Sequence, residues 1–463
     1  MIRALNVKII ASLGPSSAEP TTIEALARAG ASGFRINFSH GDRGFWDKLV
    51  EGVRVAERAV GKPITLIGDL RGASVRLGDL EKEVIVRKGD AVKFSLRPEE
   101  GSIPLPVREV FENVEVGDLI VMDDGRSMLR VIDVGGDWFL AVAVTDAVIR
   151  SRKGLVVRGK DLGLPTLSDY DIECLRYACS KGFDYIGLSY VRRRDDVEIL
   201  KSVMKEIGCS AGLIAKIETA QAVERIDDIV RAADAVLVAR GDLGMNLGLE
   251  RVPEAQTRIV EAALRAGTPV IVATQLLESM LTSPVPTRAE VVDVTVAVRE
   301  GVDALMLTGE TAIGKYPVEA VKWLARIAKA AERGEIRRYR DAGNLRRRFA
   351  KGIVELAEDL GSKLLIYSFS GRLAVNASIL RPRTPFYVAV GEWGLARRLA
   401  ILWGIRPVVV EAGTYEEGLE RAYEALIASD ELRLGDLVTM AYGISGDEQI
   451  IKLRRVARAP NTS

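Results

Sequence analysis

Residues 235–273 read AVLVARGDLGMNLGLERVPEAQTRIVEAALRAGTPVIVA, and this stretch decides the fold because it holds one complete strand–helix–strand unit. The runs Ala235–Ala239 and Val270–Ala273 are apolar throughout, as in strands that are covered on both faces. Between them, residues 253–266 predict a helix that has proline at its start and ends at Gly267. The unit is therefore one repeat of a parallel β/α architecture.

Six further apolar runs extend this pattern along the chain. With the two above, they cover residues 7–11, 33–38, 64–70, 185–189, 212–217, 235–239, 270–273 and 304–307. Helix signals lie between most of them, including a capping box at Thr21–Glu24 before Gly30 and a second helix start at Ser168–Asp171. Eight strands alternating with helices predict a closed (β/α)8 TIM barrel, with an open doubly wound sheet of eight strands as the alternative.

Two blocks depart from the barrel pattern. Between residues 72 and 156 the apolar residues alternate with period two, which predicts an inserted all-β lid domain with strands at 84–86, 92–96, 119–121 and 138–142. After a basic run at residues 337–340, apolar runs at 364–369, 386–390, 407–410 and 437–442 alternate with helical patterns. We therefore predict a catalytic barrel at 1–71 and 157–337, a lid at 72–156, and a C-terminal open α/β domain at 338–463 that is a candidate regulatory or oligomer interface.

Composition excludes several classes of function. Lys+Arg number 65 and Asp+Glu 64, so the chain has no global basic field for nucleic acid or a membrane surface. No apolar run approaches the ~18 residues of a membrane span, and the N-terminus lacks a secretory signal, so we expect a cytoplasmic protein. Cys174, Cys179 and Cys209 are expected to be buried thiols without a disulfide. Only 4 Gln and 7 Asn occur, which indicates a thermophilic source.

Charged residues at the ends of two adjacent strands are the main candidates for chemistry. Lys216 and Glu218 are two apart at the end of one strand and so share a face, while Asp242 follows the next strand within Arg240-Gly241-Asp242-Leu243-Gly244. Two carboxylates at neighbouring strand ends predict a site for Mg²⁺ or Mn²⁺, with the glycine-flanked N–H groups available to an anion. A structural ion pair and a simple turn are the alternative interpretations.

Polar side chains end the other strands as well. Arg35, Asn37 and Ser39 alternate along strand two, and an arginine there suits a phosphate. His40 is the single histidine and is more often structural than catalytic in such a setting. Asp69 and Thr274 end strands three and seven, and no nucleophile–histidine pair is recognisable. This set favours electrostatic catalysis around a metal over covalent catalysis.

These residues resemble the pyruvate kinase family over the whole barrel, about residues 7–330. The matching segments are residues 8–17, 35–41, 214–218, 239–244, 273–280, 286–290 and 307–311. The resemblance implies transfer of the phosphoryl group of phosphoenolpyruvate to ADP, which gives ATP and pyruvate in glycolysis. It also implies a homotetramer.

The resemblance assigns roles by position. Glu218 and Asp242 resemble the Mg²⁺ ligands; the catalytic residues are Lys216, Arg35 and Thr274; and the substrate pocket is Arg35, Lys216, Gly241, Asp242 and Thr274. Asn37, His40, Arg76 and Lys153 resemble the nucleotide contacts, and Thr274 is similar to the residue near the point where the enolate is protonated. Physical chemistry agrees, since phosphoryl transfer needs positioning and spread positive charge more than a nucleophile.

The sequence also departs from the family pattern. The monovalent cation site maps to Asn37, Ser39, Asp69 and the carbonyl of Leu70, but Ser74 replaces the glutamate associated with potassium dependence. We therefore expect weak or absent K⁺ activation. Residues 368–372 could place an effector phosphate at a helix start or form an ordinary turn, and the sugar-bisphosphate loop is not recognisable at 443–447, so we expect no activation by fructose bisphosphate.

Two rival functions remain open on the sequence. A metal-dependent lyase or aldolase acting on pyruvate-like acids uses a similar Glu/Asp pair and arginine, although it needs no nucleotide lid. A non-catalytic binding protein that kept the fold is the second rival, and the intact Lys216, Glu218 and Asp242 argue against it.

Overall fold

The computed structural model describes residues 5–338, 343–443 and 448–457. In chain order the strands are β1 Lys8–Ser12, β2 Gly33–Asn37, β3 Thr65–Asp69, β4 Val75–Arg76, β5 Val84–Val86, β6 Ala91–Ser95, β7 Ser102–Pro104, β8 Leu119–Met122, β9 Ser127–Val134, β10 Trp138–Ala143, β11 Ala147–Ile149, β12 Gly154–Val157, β13 Tyr185–Val191, β14 Gly212–Ile217, β15 Ala235–Ala239, β16 Val270–Ala273, β17 Ala304–Leu307, β18 Lys363–Tyr367, β19 Phe386–Val390, β20 Ile405–Val409, β21 Leu437–Gly443 and β22 Gln449–Arg455.

The α-helices are α1 Pro20–Ala29, α2 Arg43–Val60, α3 Arg108–Asn113, α4 Asp169–Ser180, α5 Arg194–Glu206, α6 Ala220–Glu224, α7 Ile226–Ala232, α8 Arg240–Leu247, α9 Val252–Ala266, α10 Arg288–Arg299, α11 Gly309–Ala312, α12 Pro317–Ala331, α13 Leu345–Asp359, α14 Arg372–Ser378, α15 Trp393–Leu399 and α16 Tyr415–Ala428.

Eight parallel strands close into a barrel in the order β1-β17-β16-β15-β14-β13-β3-β2. This confirms the predicted barrel, and four of the eight predicted runs match their strands end to end, while the others differ by one or two residues. The strands are buried on both faces because helices cover the outside and side chains fill the inside. Parallel strands bring all eight carboxyl ends to one rim, where the candidate residues lie.

Three of the four helix-end signals predicted from the sequence are confirmed, and one is wrong. Ser168 and Asp171 form a capping box at α4, and Gly267 ends α9 with φ +80°. The predicted capping box at Thr21–Glu24 is wrong. Helix α1 begins two residues earlier, at Pro20 with Glu19 as its N-cap, because proline fits the first helical position, and its end at Gly30 is as predicted.

The insertion between β3 and α4 is an antiparallel-rich sheet in the order β4-β12-β8-β9-β10-β6-β7, with a separate two-stranded antiparallel sheet of β5 and β11. Its core includes the stacked rings of Phe94 and Phe139, at 4.8 Å between centroids, with Phe111 beside them. All four predicted strands occur. The sequence pattern missed five others, β4, β7, β9, β11 and β12, because most are short or carry charged residues on their solvent face.

The C-terminal block is a five-stranded sheet in the order β20-β19-β18-β21-β22. Four strands are parallel as predicted, and β22 adds an antiparallel edge that the sequence pattern missed because this strand is exposed on both faces. Residues 339–342 and 444–447 lie outside the described residues, and so do parts of the predicted basic run and of the loop at 443–447.

The amino-terminal floor of the barrel packs on the C-terminal block through polar contacts as well as apolar ones. Arg381 and Asp303 form a buried ion pair at 2.6 Å. Arg397 on α15 pairs with Glu57 on α2 at 2.5 Å. Buried Lys8 on β1 donates to the main-chain oxygen of Ile405 at 2.6 Å. The rim formed by the carboxyl ends of the strands is at the opposite end of the barrel, so this junction leaves it open to the inserted domain.

The expectation of three free thiols is wrong. Cys179 and Cys209 form a disulfide with a sequence separation of 30, and only Cys174 is a free, buried thiol among the described residues. The odd number of cysteines misled the prediction, because one pair and one leftover thiol also give three. Intracellular disulfides are common in hyperthermophiles, so the bond does not exclude a cytosolic protein. Among the described residues, no helix is both long and apolar enough to cross a membrane.

Candidate active site

Lys216 lies at the centre of the catalytic rim. Its Nζ is 3.0 Å from Glu218 Oε1 and 3.3 Å from Asp69 Oδ2, and it donates to Ser189 Oγ at 2.8 Å. Burial lowers the pKa of this amine, but the carboxylates of Asp69 and Glu218 outweigh it and the net shift is upward. Lys216 is therefore a permanent cation held at one place by three oxygen atoms.

Glu218 and Asp242 come together at this rim through two shared neighbours. Tyr190 donates its main-chain N–H to Glu218 Oε2 at 2.6 Å and its phenol to Asp242 Oδ1 at 3.0 Å. The side-chain amide of Asn246 donates to the main-chain oxygen of Glu218 at 2.8 Å and of Asp242 at 3.2 Å. Asp242 lies in the first turn of helix α8, which begins at Arg240, so the alternative of a simple turn is wrong.

The electrostatics of the carboxylate pair fit a bound cation. Burial raises the pKa of Glu218 to about 7, against the lowering effect of Lys216, and the negative charge of Asp242 raises it further. Two close carboxylates that repel each other are relieved by a cation between them. Across the described residues, no three His, Cys, Asp or Glu side chains could enclose a metal by themselves. Mg²⁺ commonly uses one or two carboxylates and completes its shell with substrate and water.

Arg35 stands beside the lysine on the other side of Asp69. Its Nε and Nη2 contact Asp69 Oδ2 at 2.9 and 2.8 Å, and Nη1 donates to Ser12 Oγ at 3.4 Å. Burial raises the pKa of Asp69, but Lys216 and Arg35 lower it to a greater extent. The buried aspartate therefore holds two cations that face the same rim.

The end of strand β16 is held in an uncommon backbone conformation. Thr274 has φ +69° and Gln275 φ +53°. Arg240 donates to both main-chain oxygens at 2.7 and 3.0 Å and pairs with Asp293 at 2.7 Å, which fixes this turn. Non-glycine residues keep a left-handed backbone conformation only where the surroundings hold them, and such residues cluster at functional sites.

Gly241 is packed closely between this turn and the lid. Its N–H donates to Thr274 Oγ1 at 2.8 Å. A Cβ at Gly241 would lie 3.3 Å from Asp124 Oδ1 and 3.7 Å from Thr274 Oγ1, so a larger residue would crowd the pocket. Asp124 belongs to the inserted domain, and burial, Asp242 and Glu278 raise its pKa. Arg126 pairs with Glu278 at 3.0 Å, so the lid contacts the barrel beside this pocket.

The four predicted nucleotide residues belong to two parts of the chain: Asn37 and His40 lie at the end of β2 and just after it, and Arg76 and Lys153 lie in the inserted domain. Burial lowers the pKa of His40, and nearby Arg76, Arg35 and Arg71 lower it further. Arg76 on β4 pairs in register with Gly154 on β12, and Lys153 precedes that glycine. Lys153 pairs with Asp123 at 3.0 Å. Asn37 Oδ1 accepts the N–H of Ser39 at 3.1 Å. Three guanidiniums near His40, those of Arg35, Arg71 and Arg76, form a positive region that suits a polyphosphate.

The four residues mapped to a monovalent cation site are partly engaged elsewhere. Asp69 pairs with Arg35 and Lys216, and the main-chain oxygen of Leu70 accepts Ser189 Oγ at 2.8 Å. The hydroxyl of Ser74 is buried without a hydrogen-bond partner among the described residues.

In the C-terminal block, Gly371 donates its N–H to Ser368 Oγ at 3.0 Å before the seven-residue helix α14, as in an ordinary strand–helix turn.

Several residues of the site escaped sequence reasoning. Tyr190, Ser189, Asn246, Arg240 and Asp124 each contact or electrostatically influence a predicted site residue. The available signal for Ser189 was a polar residue at the end of an apolar run, and for Arg240 a polar residue directly after one. No such signal marked Asn246, which lies inside a helix, or Asp124, which comes from another domain.

Comparison with known proteins agrees with this geometry. The family model described as the barrel domain of pyruvate kinase matches residues 4–321, and the model of its alpha/beta domain matches residues 348–452. The pyruvate kinase of Pyrobaculum aerophilum is 40% identical over 460 residues, covering 98% of each chain. The pyruvate kinase of Aeropyrum pernix is 41% identical over 425 residues, covering 91% of this chain and 92% of its own.

Solved structures give the same result. The crystal structure of the Pyrobaculum aerophilum pyruvate kinase superimposes with a TM-score of 0.89 at 39% identity, covering 98% of this chain and all of that one. A pyruvate kinase from Cryptosporidium parvum also has a TM-score of 0.89, at 28% identity, covering 98% of this chain and 96% of its own. These matches give no support to a lyase or aldolase. The chain belongs to the pyruvate kinase family of phosphotransferases.

Proposed function

We propose that the chain transfers the phosphoryl group of phosphoenolpyruvate to ADP, giving ATP and pyruvate in glycolysis. A terminal oxygen of ADP attacks the phosphorus, the bond between phosphorus and the enol oxygen breaks, and the enolate that leaves takes a proton at carbon to become pyruvate. The observation that carries the proposal is the buried ammonium of Lys216 beside two carboxylates and Arg35 at one rim. Phosphoryl transfer depends on such positioned positive charge.

Lys216 and Arg35 have separate tasks in this mechanism. Lys216 stabilises the phosphoryl group during transfer, because its charge is permanent and its position is fixed by Asp69, Glu218 and Ser189. Arg35 binds the phosphate of the substrate with its planar guanidinium. Asp69 orients both cations and takes no direct part.

The chain's carboxylates fit a divalent cation, and members of this family generally need one. Glu218 and Asp242 would hold Mg²⁺ or Mn²⁺, and the ion would neutralise charge on the phosphoryl oxygens when bound. Weak or absent K⁺ dependence accompanies this assignment, since Ser74 supplies no carboxylate near the proposed monovalent site of Asn37, Ser39, Asp69 and Leu70.

The carboxylate of phosphoenolpyruvate belongs in the pocket of Gly241, Asp242 and Thr274. Gly241 has no side chain to occupy this pocket, and the constrained turn at Thr274 places its hydroxyl beside Gly241, where it accepts the Gly241 N–H at 2.8 Å and donates to the main-chain oxygen of Ala273 at 2.6 Å. We assign Thr274 to the region where the enolate is protonated. Asn37, His40, Arg76 and Lys153 bind the nucleotide, and closure of the lid excludes water that would hydrolyse the phosphoryl group.

The chain divides into a barrel at 1–71 and 157–337, a lid at 72–156 and a C-terminal domain at 338–463. We assign a homotetramer to it, supported by apolar surface on two elements: Val292 and Val296 on α10 are 62% and 47% exposed, and Ile451 and Leu453 on the edge strand β22 are 44% and 50% exposed. We assign a cytoplasmic location and a thermophilic source.

The test is a coupled assay of pyruvate formation from phosphoenolpyruvate and ADP, comparing wild type with Lys216→Met. We expect kcat to fall by at least two orders of magnitude, the usual effect of removing one preorganised stabilising group. Lys201→Met is the matched control, because Lys201 is surface-exposed and pairs with Asp234 at 3.3 Å. Circular dichroism of both variants checks folding. Full activity of a folded Lys216→Met variant would contradict the proposed role of this lysine.

A further inference from the structure

Tyr190 is placed by an irregularity in strand β13 that the sequence pattern did not reveal. The register between β13 and β14 shifts between Leu188 and Val191, and Tyr190 lies in this interval with φ +54°. Bulges of this kind redirect a side chain and are frequent beside active sites. A left-handed backbone conformation is unfavourable for a bulky aromatic residue, so the surroundings must hold it.

The redirected residue contacts both carboxylates of the proposed metal site. Its main-chain N–H reaches Glu218 Oε2 at 2.6 Å, and its phenol reaches Asp242 Oδ1 at 3.0 Å. Glu218 Oε1 is in turn fixed by Lys216 at 3.0 Å. On Asp242 the phenol contact leaves the second oxygen, Oδ2, for a ligand. Tyr190 therefore contacts both acidic side chains, one through its main-chain N–H and the other through its phenol.

A purely space-filling role does not account for this arrangement. Packing needs the ring of Tyr190 but not its hydroxyl, and a residue kept only for packing would not require a positive φ. Asn246 does not replace the link, because its amide contacts the main-chain oxygens of Glu218 and Asp242 and leaves their carboxylates unconstrained. Through its phenol and its N–H, Tyr190 joins the Asp242 carboxylate to that of Glu218.

We propose that Tyr190 is a positioning residue that fixes the separation and orientation of the Glu218 and Asp242 carboxylates and thereby sets the affinity of the site for a divalent cation. This inference rests on the proposed function, since it concerns the same site. Partners that orient metal ligands commonly change metal affinity by 10- to 100-fold when they are removed. The phenol accounts for one of the two links, so we expect the low end of this range.

The test measures Mn²⁺ binding to the full-length protein without substrates, by the loss of the free-ion signal in electron paramagnetic resonance. Tyr190→Phe removes the hydroxyl alone and should weaken binding about tenfold. Tyr185→Phe is the matched control, because Tyr185 lies on the same strand and donates its phenol to Arg398 O at 3.1 Å, away from the site. Thermal unfolding of both variants verifies that each is folded.

Three outcomes separate the inference from the proposed function. Weakened binding in Tyr190→Phe alone supports the inference. Equal affinity of Tyr190→Phe and wild type overturns it, as does an equal loss in Tyr185→Phe, and either leaves the proposed function standing. Equal binding by wild type and Glu218→Gln would instead remove Glu218 from the proposed metal site, which overturns this inference and the metal assignment but leaves phosphoryl transfer to its own test on Lys216.

Discussion

Arg381→Met tests whether the buried ion pair at the barrel floor holds the C-terminal block in place. Arg381 is 1% exposed, and its two terminal nitrogens donate to the oxygens of Asp303 at 3.0 and 2.6 Å. It also donates to the main-chain oxygens of Gly301 and Ser378 at 2.8 and 3.0 Å. Methionine keeps a long apolar stem and removes all four hydrogen bonds.

The expected loss is about 3–5 kcal/mol of unfolding free energy, the usual result of leaving one partner of a buried pair without its counter-charge. In this variant Asp303 still accepts the main-chain N–H groups of Trp403 and Val270, each at 3.0 Å, and these two hydrogen bonds partly stabilise its charge. A double variant, Arg381→Met with Asp303→Asn, removes the unpaired charge and should recover part of the loss.

Guanidinium unfolding followed by tryptophan fluorescence is the assay, read as the midpoint of the first transition because a multidomain chain need not unfold in one step. Arg231→Met is the control, since the Arg231–Asp228 pair is about 60% exposed on both sides and should contribute under ~1 kcal/mol. A midpoint for Arg381→Met equal to that of the control would refute the reasoning. A double variant less stable than the single one would also refute it.

Three further predictions concern pH, redox state and salt. Burial, with Arg406 contributing, lowers the pKa of Lys8 from its ordinary value of 10.5 to about 7. Between these two pH values the unfolded chain binds a proton at Lys8 that the folded chain does not. The free energy of unfolding should therefore rise with pH over this range, by at most ~5 kcal/mol. Unfolding midpoints from pH 7 to 10 should show this slope in wild type and a flatter one in Lys8→Met; equal slopes would contradict it. Replacing Cys179 and Cys209 by alanine should cost about 3–4 kcal/mol by loop entropy, measured by calorimetry, and an unchanged melting temperature under oxidising conditions would argue against the bond. Activity in tetramethylammonium salts should change little when KCl is added, because Ser74 carries no carboxylate, and a large stimulation would exclude this explanation.

The sequence predicted the parts of the fold that depend on strong local patterns. Strands such as Ala235–Ala239 are apolar throughout, and parallel strands place their ends at one rim, so Lys216, Glu218 and Asp242 could be expected there together. Short strands such as β4, and the doubly exposed edge strand β22, have no such pattern. They form because their neighbours offer free hydrogen-bonding edges, which is information from the tertiary structure.

The contacts around the site depend on geometry that no local pattern contains. Tyr190 reaches the carboxylates because of a register shift between two strands. Asp124 approaches Gly241 because the insertion folds back over the rim. The disulfide joins the end of α4 to the segment before β14, and its two cysteines are brought together by the packing of two consecutive β/α units.

Strand β17 is only four residues long, and it has an anchor at each end. Asp303, just before it, is clamped by Arg381 of the C-terminal block, and Glu310, shortly after it, accepts N–H groups of Thr308 and Leu277 beside the substrate pocket. From Asp303 to Thr308 an extended chain spans about 17 Å. The strand is therefore a short, extended connection between its two anchors, with almost no spare chain length. The C-terminal block and the rim are therefore joined by a direct route through the barrel wall, separate from the lid.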